Sequence, residues 1–195
     1  MSGEQPQHGG SGDGCGELLV LGLGNVLCAD DGVGVRAVER LLSAYTPPPG
    51  VRILDGGTLG LALLGWACSA ETLILVDAVR GDQPAGTLVE LSGDEVAPAV
   101  RERLSVHQIG VADLLDGLRL LERCPPRIEL LGVVPESLAL HVGLSPAVEA
   151  ALPALVAAVV RRIETLAGRM TPTPRTDRHA TPLDAAAARH AAVEL

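Results

Sequence analysis

Leu18 to Leu21 is a short, wholly apolar run that stops at Gly22, the pattern of a strand covered on both faces. Beyond the loop Gly22 to Asp30, the apolar positions Val35, Val38, Leu41 and Leu42 recur at helical spacing. Arg36, Glu39 and Arg40 fall on the rest of the wheel, so a first helix is predicted there. Pro47-Pro48-Pro49-Gly50 closes the unit, and Val51 to Leu54 predicts a second strand ending at Asp55-Gly56-Gly57. Thr58 is placed to cap a helix running to Cys68. Thr72 to Val76 predicts a third buried strand with Asp77 at its C-terminal end. Gly86 to Leu91 follows a connection through Gly81 and Pro84 that is too short for a crossover helix, so an antiparallel edge strand is expected. A helix from His107 to Leu121, a strand from Ile128 to Val134 and a helix from Pro146 to Leu166 complete the series. Ser145 can cap the last of these, and Pro146 suits its first turn.

Strands and helices alternating at these lengths imply an α/β fold: a single three-layer αβα domain with a mainly parallel twisted sheet of about five strands, one of them antiparallel. The domain is expected over residues 17–169, with a polar, glycine-rich leader at 1–16 and a disordered Pro/Thr/Ala-rich tail at 170–195. His179 and His190 in that tail are read as solvated. In such a sheet, sites gather in the crevice beyond the C-terminal ends of the strands.

Composition narrows the function. The formal charge of −9 opposes binding to nucleic acid, which needs a basic surface to displace counterions. No apolar run approaches the roughly 20 residues that span a bilayer, and residues Met1 to Gly16 lack the basic start and apolar stretch of a secretory signal. Neither nucleic acid nor membrane insertion is expected, and the cytoplasm is the expected compartment. Cys15, Cys28, Cys68 and Cys124 form no C-x-x-C pair, so reduced thiols are expected, with Cys28 read as a packing residue. The core must be aliphatic, because the chain has no Phe, one Trp and one Tyr.

Gly22-Leu23-Gly24-Asn25-Val26-Leu27 begins like a dinucleotide fingerprint, and Asp55 resembles the acidic residue that would hold a ribose. However, Leu27 stands where Gly or Ala is needed. Asp30 and Asp31 at the next helix start would also repel a pyrophosphate. Asp30 is read as a helix-start residue that caps and meets the dipole. Asp31, turned about 100° from it, is read as projecting into the crevice. Asp77 at the end of a buried strand and His107 at the opening of a helix lie at the same end of the predicted sheet. Two carboxylates and one imidazole make an open site that suits several divalent first-row ions. There is no nucleophilic serine elbow and no cysteine–histidine signature.

The stretch from Gly22 to Val35, Gly-Leu-Gly-Asn-Val-Leu-Cys-Ala-Asp-Asp-Gly-Val-Gly-Val, resembles the opening signature of the hydrogenase maturation endopeptidases. Leu54-Asp55-Gly56-Gly57-Thr58 resembles their second block. Further matches follow in order at Val76-Asp77-Ala78, Pro84-Ala85-Gly86-Thr87, His107-Gln108-Ile109-Gly110, Gly132 to Ser137, and Gly143-Leu144-Ser145-Pro146. The resemblance implies a peptidase, grouped with the aspartic type, that removes the C-terminal extension of a nickel-loaded large-subunit precursor of a nickel–iron hydrogenase. It implies Asp31, Asp77 and His107 as the metal-engaging set, with Asp31 and Asp77 as catalytic candidates. Many members carry glutamate where this chain has Asp31. Nickel would be carried by the precursor, not held permanently. Two other readings stay open: a non-proteolytic, nickel-sensing assembly chaperone and a dinucleotide-binding protein.

Overall fold

The computed structural model describes residues 17–101 and 108–173. Numbered along the chain, the strands are β1 (Leu18–Leu23), β2 (Tyr45–Thr46), β3 (Val51–Gly57), β4 (Thr72–Ala78), β5 (Leu88–Ser92), β6 (Arg127–Val133) and β7 (Thr171–Pro172). The helices are α1 (Val33–Ala44), α2 (Leu64–Ala67), α3 (Val96–Arg101), α4 (Gln108–Leu120) and α5 (Pro146–Ala167). Five strands form the main sheet in the order β3-β1-β4-β6-β5. Four of them run parallel, and β5 pairs antiparallel with β6, as its short connection requires.

Every residue of β1 is buried, and β4 is buried from Leu73 onward, which explains their unbroken apolar runs. On one face Val20, Ile74, Val76, Leu131 and Val133 pack against Val38 and Leu41 of α1 and Leu152, Leu155 and Val159 of α5. On the other, Leu19, Leu21, Leu73, Leu75 and Leu130 meet Ala67, Val96, Val100, Leu114 and Leu118 from α2, α3 and α4. Each buried Leu or Val contributes about 1.5–3 kcal/mol over an exposed one, so aliphatic layers replace the missing aromatic core. Gly34 lets α1 start hard against β4, since a Cβ there would stand 2.0 Å from the Val76 carbonyl oxygen.

The structure departs from the expected elements at three places. The helix expected after Thr58 is a 3-10 turn, Gly60–Leu63, followed by the one-turn α2, and no side chain caps either. Gly57 (φ +44°) and Gly60 (φ +50°) are left-handed, which breaks any helix begun at Thr58. Next, α3 lies where no helix was expected, behind a reciprocal capping box between Ser92 and Glu95. Last, the packed chain continues past 169: Met170 is buried and β7 pairs with β2. At the start of α5, Ser145 caps as expected, its hydroxyl oxygen accepting from Val148 N–H at 3.3 Å. Among the described residues no helix is long and apolar enough to cross a membrane.

Candidate functional site

The loop after β1 folds back on itself. Gly24 holds φ +113°, and a Cβ there would fall 1.7 Å from the Asp31 carbonyl oxygen, so only glycine fits. The loop amides are already engaged. Gly24 N donates to Gly57 O (3.0 Å), Asn25 N to Asp31 Oδ2 (2.6 Å), Leu27 N to Asn25 Oδ1 (3.0 Å) and Cys28 N to Asn25 O (2.9 Å). A pyrophosphate would need those donors, so the dinucleotide reading loses its physical basis.

Asp30 and Asp31 follow on a 3-10 turn, Ala29–Gly32, and both are fully buried. Asp30 does not cap. Its Oδ2 accepts from Glu136 N (2.8 Å) and Ser137 N (3.1 Å), and its Oδ1 from Ser145 N (2.6 Å). The expected capping role is therefore corrected: the carboxylate reaches away from α1 and fastens the loop between β6 and α5. Neither this turn nor α1 has a side-chain cap. Asp31 differs from expectation as well, because it lies beneath the Gly24–Cys28 stretch and takes the Asn25 N–H instead of standing open in the crevice.

Asp77 is 2% exposed at the end of β4, and its Oδ1 accepts from Ala78 N at 2.7 Å. Because β1 and β4 are neighbours with Gly22 opposite Val76, the loop after β1 emerges beside Asp77. The 3-10 turn carrying Asp31 packs against β4. The structure thus brings both predicted carboxylates to one end of adjacent central strands. His107 lies outside the described residues. The helix that follows it, α4, packs on the Gly60–Leu63 turn beyond the C-terminal end of β3. Among the described residues, no group of three or more His, Cys, Asp or Glu side chains is placed to hold a metal ion, and two carboxylates alone are not a full ligand set.

At the same end of the sheet, the connections after β4 and β6 border an open cleft of about 600 Å³ lined by Arg80, Asp82, Glu136, Ser137 and Leu138. That size falls in the range of ligand-binding clefts, and Asp30 holds the amides of two lining residues, Glu136 and Ser137, from beneath. The sequence reading assigned no role to Arg80, Asp82 or Glu136, although each lies within a few residues of the end of β4 or β6. The cleft opens at the same end of the sheet as Asp31 and Asp77. Cys28 is half-buried and pairs through its backbone with His141, and Cys28, Cys68 and Cys124 are all free thiols.

With this geometry in hand, known proteins give a consistent comparison. The profile of the hydrogenase maturation protease family matches residues 35–162. The hydrogenase 2 maturation protease of Escherichia coli K12 is 46% identical over 140 residues, covering 71% of this chain and 85% of that one. Among solved structures, the hydrogenase maturating endopeptidase HybD from Escherichia coli superposes with a TM-score of 0.76 at 39% identity, over 80% of this chain and 97% of that one. The nickel–iron hydrogenase maturation protease HybD from Thermococcus kodakarensis is similar too, with a TM-score of 0.62 at 28% identity over 75% and 99% of the two chains.

Proposed function

The chain belongs to the hydrogenase maturation protease family, peptidases of hydrogenase maturation, and from that premise we propose that it removes the C-terminal extension of a nickel-loaded large-subunit precursor. The observation that supports this reading is the placement of two buried carboxylates, Asp77 at the end of β4 and Asp31 on the 3-10 turn that packs against β4, at the sheet end where the connections after β4 and β6 border a cleft. Carboxylates attract a divalent cation, and oxygen donors joined by the imidazole of His107 suit nickel among the first-row ions. The metal belongs to the substrate. A site that offers Asp31, Asp77 and His107 to open positions on that ion holds loaded precursor more tightly than empty precursor, and the difference in affinity is the checkpoint. The setting is the cytoplasm, before the hydrogenase assembles.

For bond cleavage, Asp30 is removed from consideration because three backbone N–H groups occupy its oxygens. Asp31 and Asp77 remain, either sharing a proton as an aspartic pair or orienting the substrate while its nickel polarises the scissile carbonyl.

The test compares nickel-loaded and nickel-free forms of one purified precursor, incubated with the protein and followed by intact-mass measurement. Shortening of the loaded form alone is expected. Equal cutting of both forms removes the nickel checkpoint, and a stable complex with no shortened product makes the protein an assembly chaperone.

A further inference from the structure

Three large aliphatic side chains stand in solvent at the rim of this site: Leu27 at 52% exposure, Leu140 at 85% and Val142 at 67%. A single exposed leucine is ordinary, but an apolar patch is not. These three come from two loops joined by main-chain bonds: His141 N donates to Leu27 O at 2.9 Å, and Ala29 N donates to His141 O at 2.7 Å. In that parallel bridge Cys28 pairs with His141. Leu27 and Leu140 each precede a bridged residue, so side-chain alternation puts both on the same side. No charged residue interrupts 27–29 or 138–144.

We infer that Leu27, Leu140 and Val142 form the docking rim for the folded body of the precursor, an apolar protein surface, while the segment to be cut lies in the adjoining cleft. This rests on the proteolytic reading above. The occupant follows from continuity. One loop, residues 134–145, lines the cleft on one flank with Glu136 and Ser137 and carries Leu140 and Val142 on the other. The bridge at Cys28 leads directly into the 3-10 turn that carries Asp31, so a protein seated on the rim lies over the segment that holds this carboxylate. The rim is also prepared for binding. Asp30 fastens the same loop at three amides, which lowers the ordering cost that a loose loop would impose on association.

The experiment uses the full chain with Leu140→Ser and Val142→Ser combined, and Leu27→Ser as an independent variant on the other loop. Folding is checked by the urea midpoint. With nickel-loaded precursor, KM should rise about tenfold or more while kcat stays within about twofold, the split expected when binding is lost equally from ground and transition states. Leu120→Ser, equally exposed at 85% but at the far end of α4, should change neither. An unchanged KM in both rim variants overturns the proposal, and so does a fall in kcat alone. Sedimentation gives a third arm: a wild-type dimer that the rim variants convert to monomer would assign the patch to a second copy of this chain and overturn docking. Calorimetric titration with the same precursor reads the rim even where no cut occurs. A wild-type protein that binds but never cuts therefore sinks the proteolytic reading, and equal binding by wild type and variants sinks the rim.

Discussion

Asp30 and Asp31 are neighbours with the same chemistry and opposite uses. Asp30→Ala strands three buried N–H donors that a carboxylate now accepts, so a loss of about 2–4 kcal/mol is expected, on the scale of hydrogen bonds to charged groups. It should appear as a lower urea midpoint with an unchanged slope. Asp31→Asn keeps an oxygen for the Asn25 N–H but removes the charge that the proposed reading offers to the metal, so the stability read from the midpoint should stay within about 1 kcal/mol. Processing should fall about 100-fold or more, by the measure in which lost rate is lost transition-state stabilisation. His107→Ala should behave like Asp31→Asn. Full processing by Asp31→Asn, or an unshifted midpoint in Asp30→Ala, would reverse the assignment of the two residues. Local rules could not separate them, because helix-start statistics treat both as dipole partners. The distinction is made by amides 106, 107 and 115 residues away. That Asp77 would end a buried central strand was legible, since the apolar run Leu73 to Val76 stops there.

Elements were readable where burial on both faces left an unbroken apolar run, as in β1 and β4, or where one helical face carried the apolar positions, as in α1. They were harder to read after Thr58, where left-handed φ at Gly57 and Gly60 stops a helix from starting and leaves a 3-10 turn and the one-turn α2. The short α3 did carry a local signal, the Ser92-to-Glu95 capping box. Arg101 of α3 donates a hydrogen bond to Asp116 of α4, and Arg119, one turn further along α4, adds an ion pair to Asp116 at 3.1 Å. The Arg101 hydrogen bond, with help from Arg119, holds the Asp116 carboxyl below the usual carboxylate range. A carboxyl whose folded pKa is depressed contributes stability that is present above its unfolded pKa and lost as pH falls through the folded one. Asp116→Asn should therefore flatten the acid limb of a urea-midpoint-versus-pH profile without altering the neutral plateau much. The pair is exposed, so high salt should shrink the difference. Parallel acid limbs at low salt would show that Asp116 does not couple the two helices.

At the scale of the whole molecule, two aliphatic layers make the sheet rigid, and its C-terminal rim is tied together across four strand ends. Gly24 bonds Gly57, Cys28 pairs with His141, Asp30 holds three amides of the β6–α5 loop, and Val134 exchanges bonds with Gly86 and Thr87. Such stitching predicts a rim that is ordered before substrate binds, because each bond takes a loop amide out of solvent. In native-state hydrogen exchange the amides of Asn25, Ala29, Glu136, Ser137 and Ser145 should be protected to within about 100-fold of Leu73 to Val76 in β4. Free turns such as Asp82-Gln83 should exchange far faster. The result bears directly on recognition. A rigid rim spends little ordering entropy when precursor arrives, so the aliphatic contacts at Leu27, Leu140 and Val142 can appear almost fully as affinity. If the loop amides exchange like the free turns, the rim must order itself on binding. Much of that apolar gain would then be absorbed, and the rim variants would raise KM by less than the expected factor.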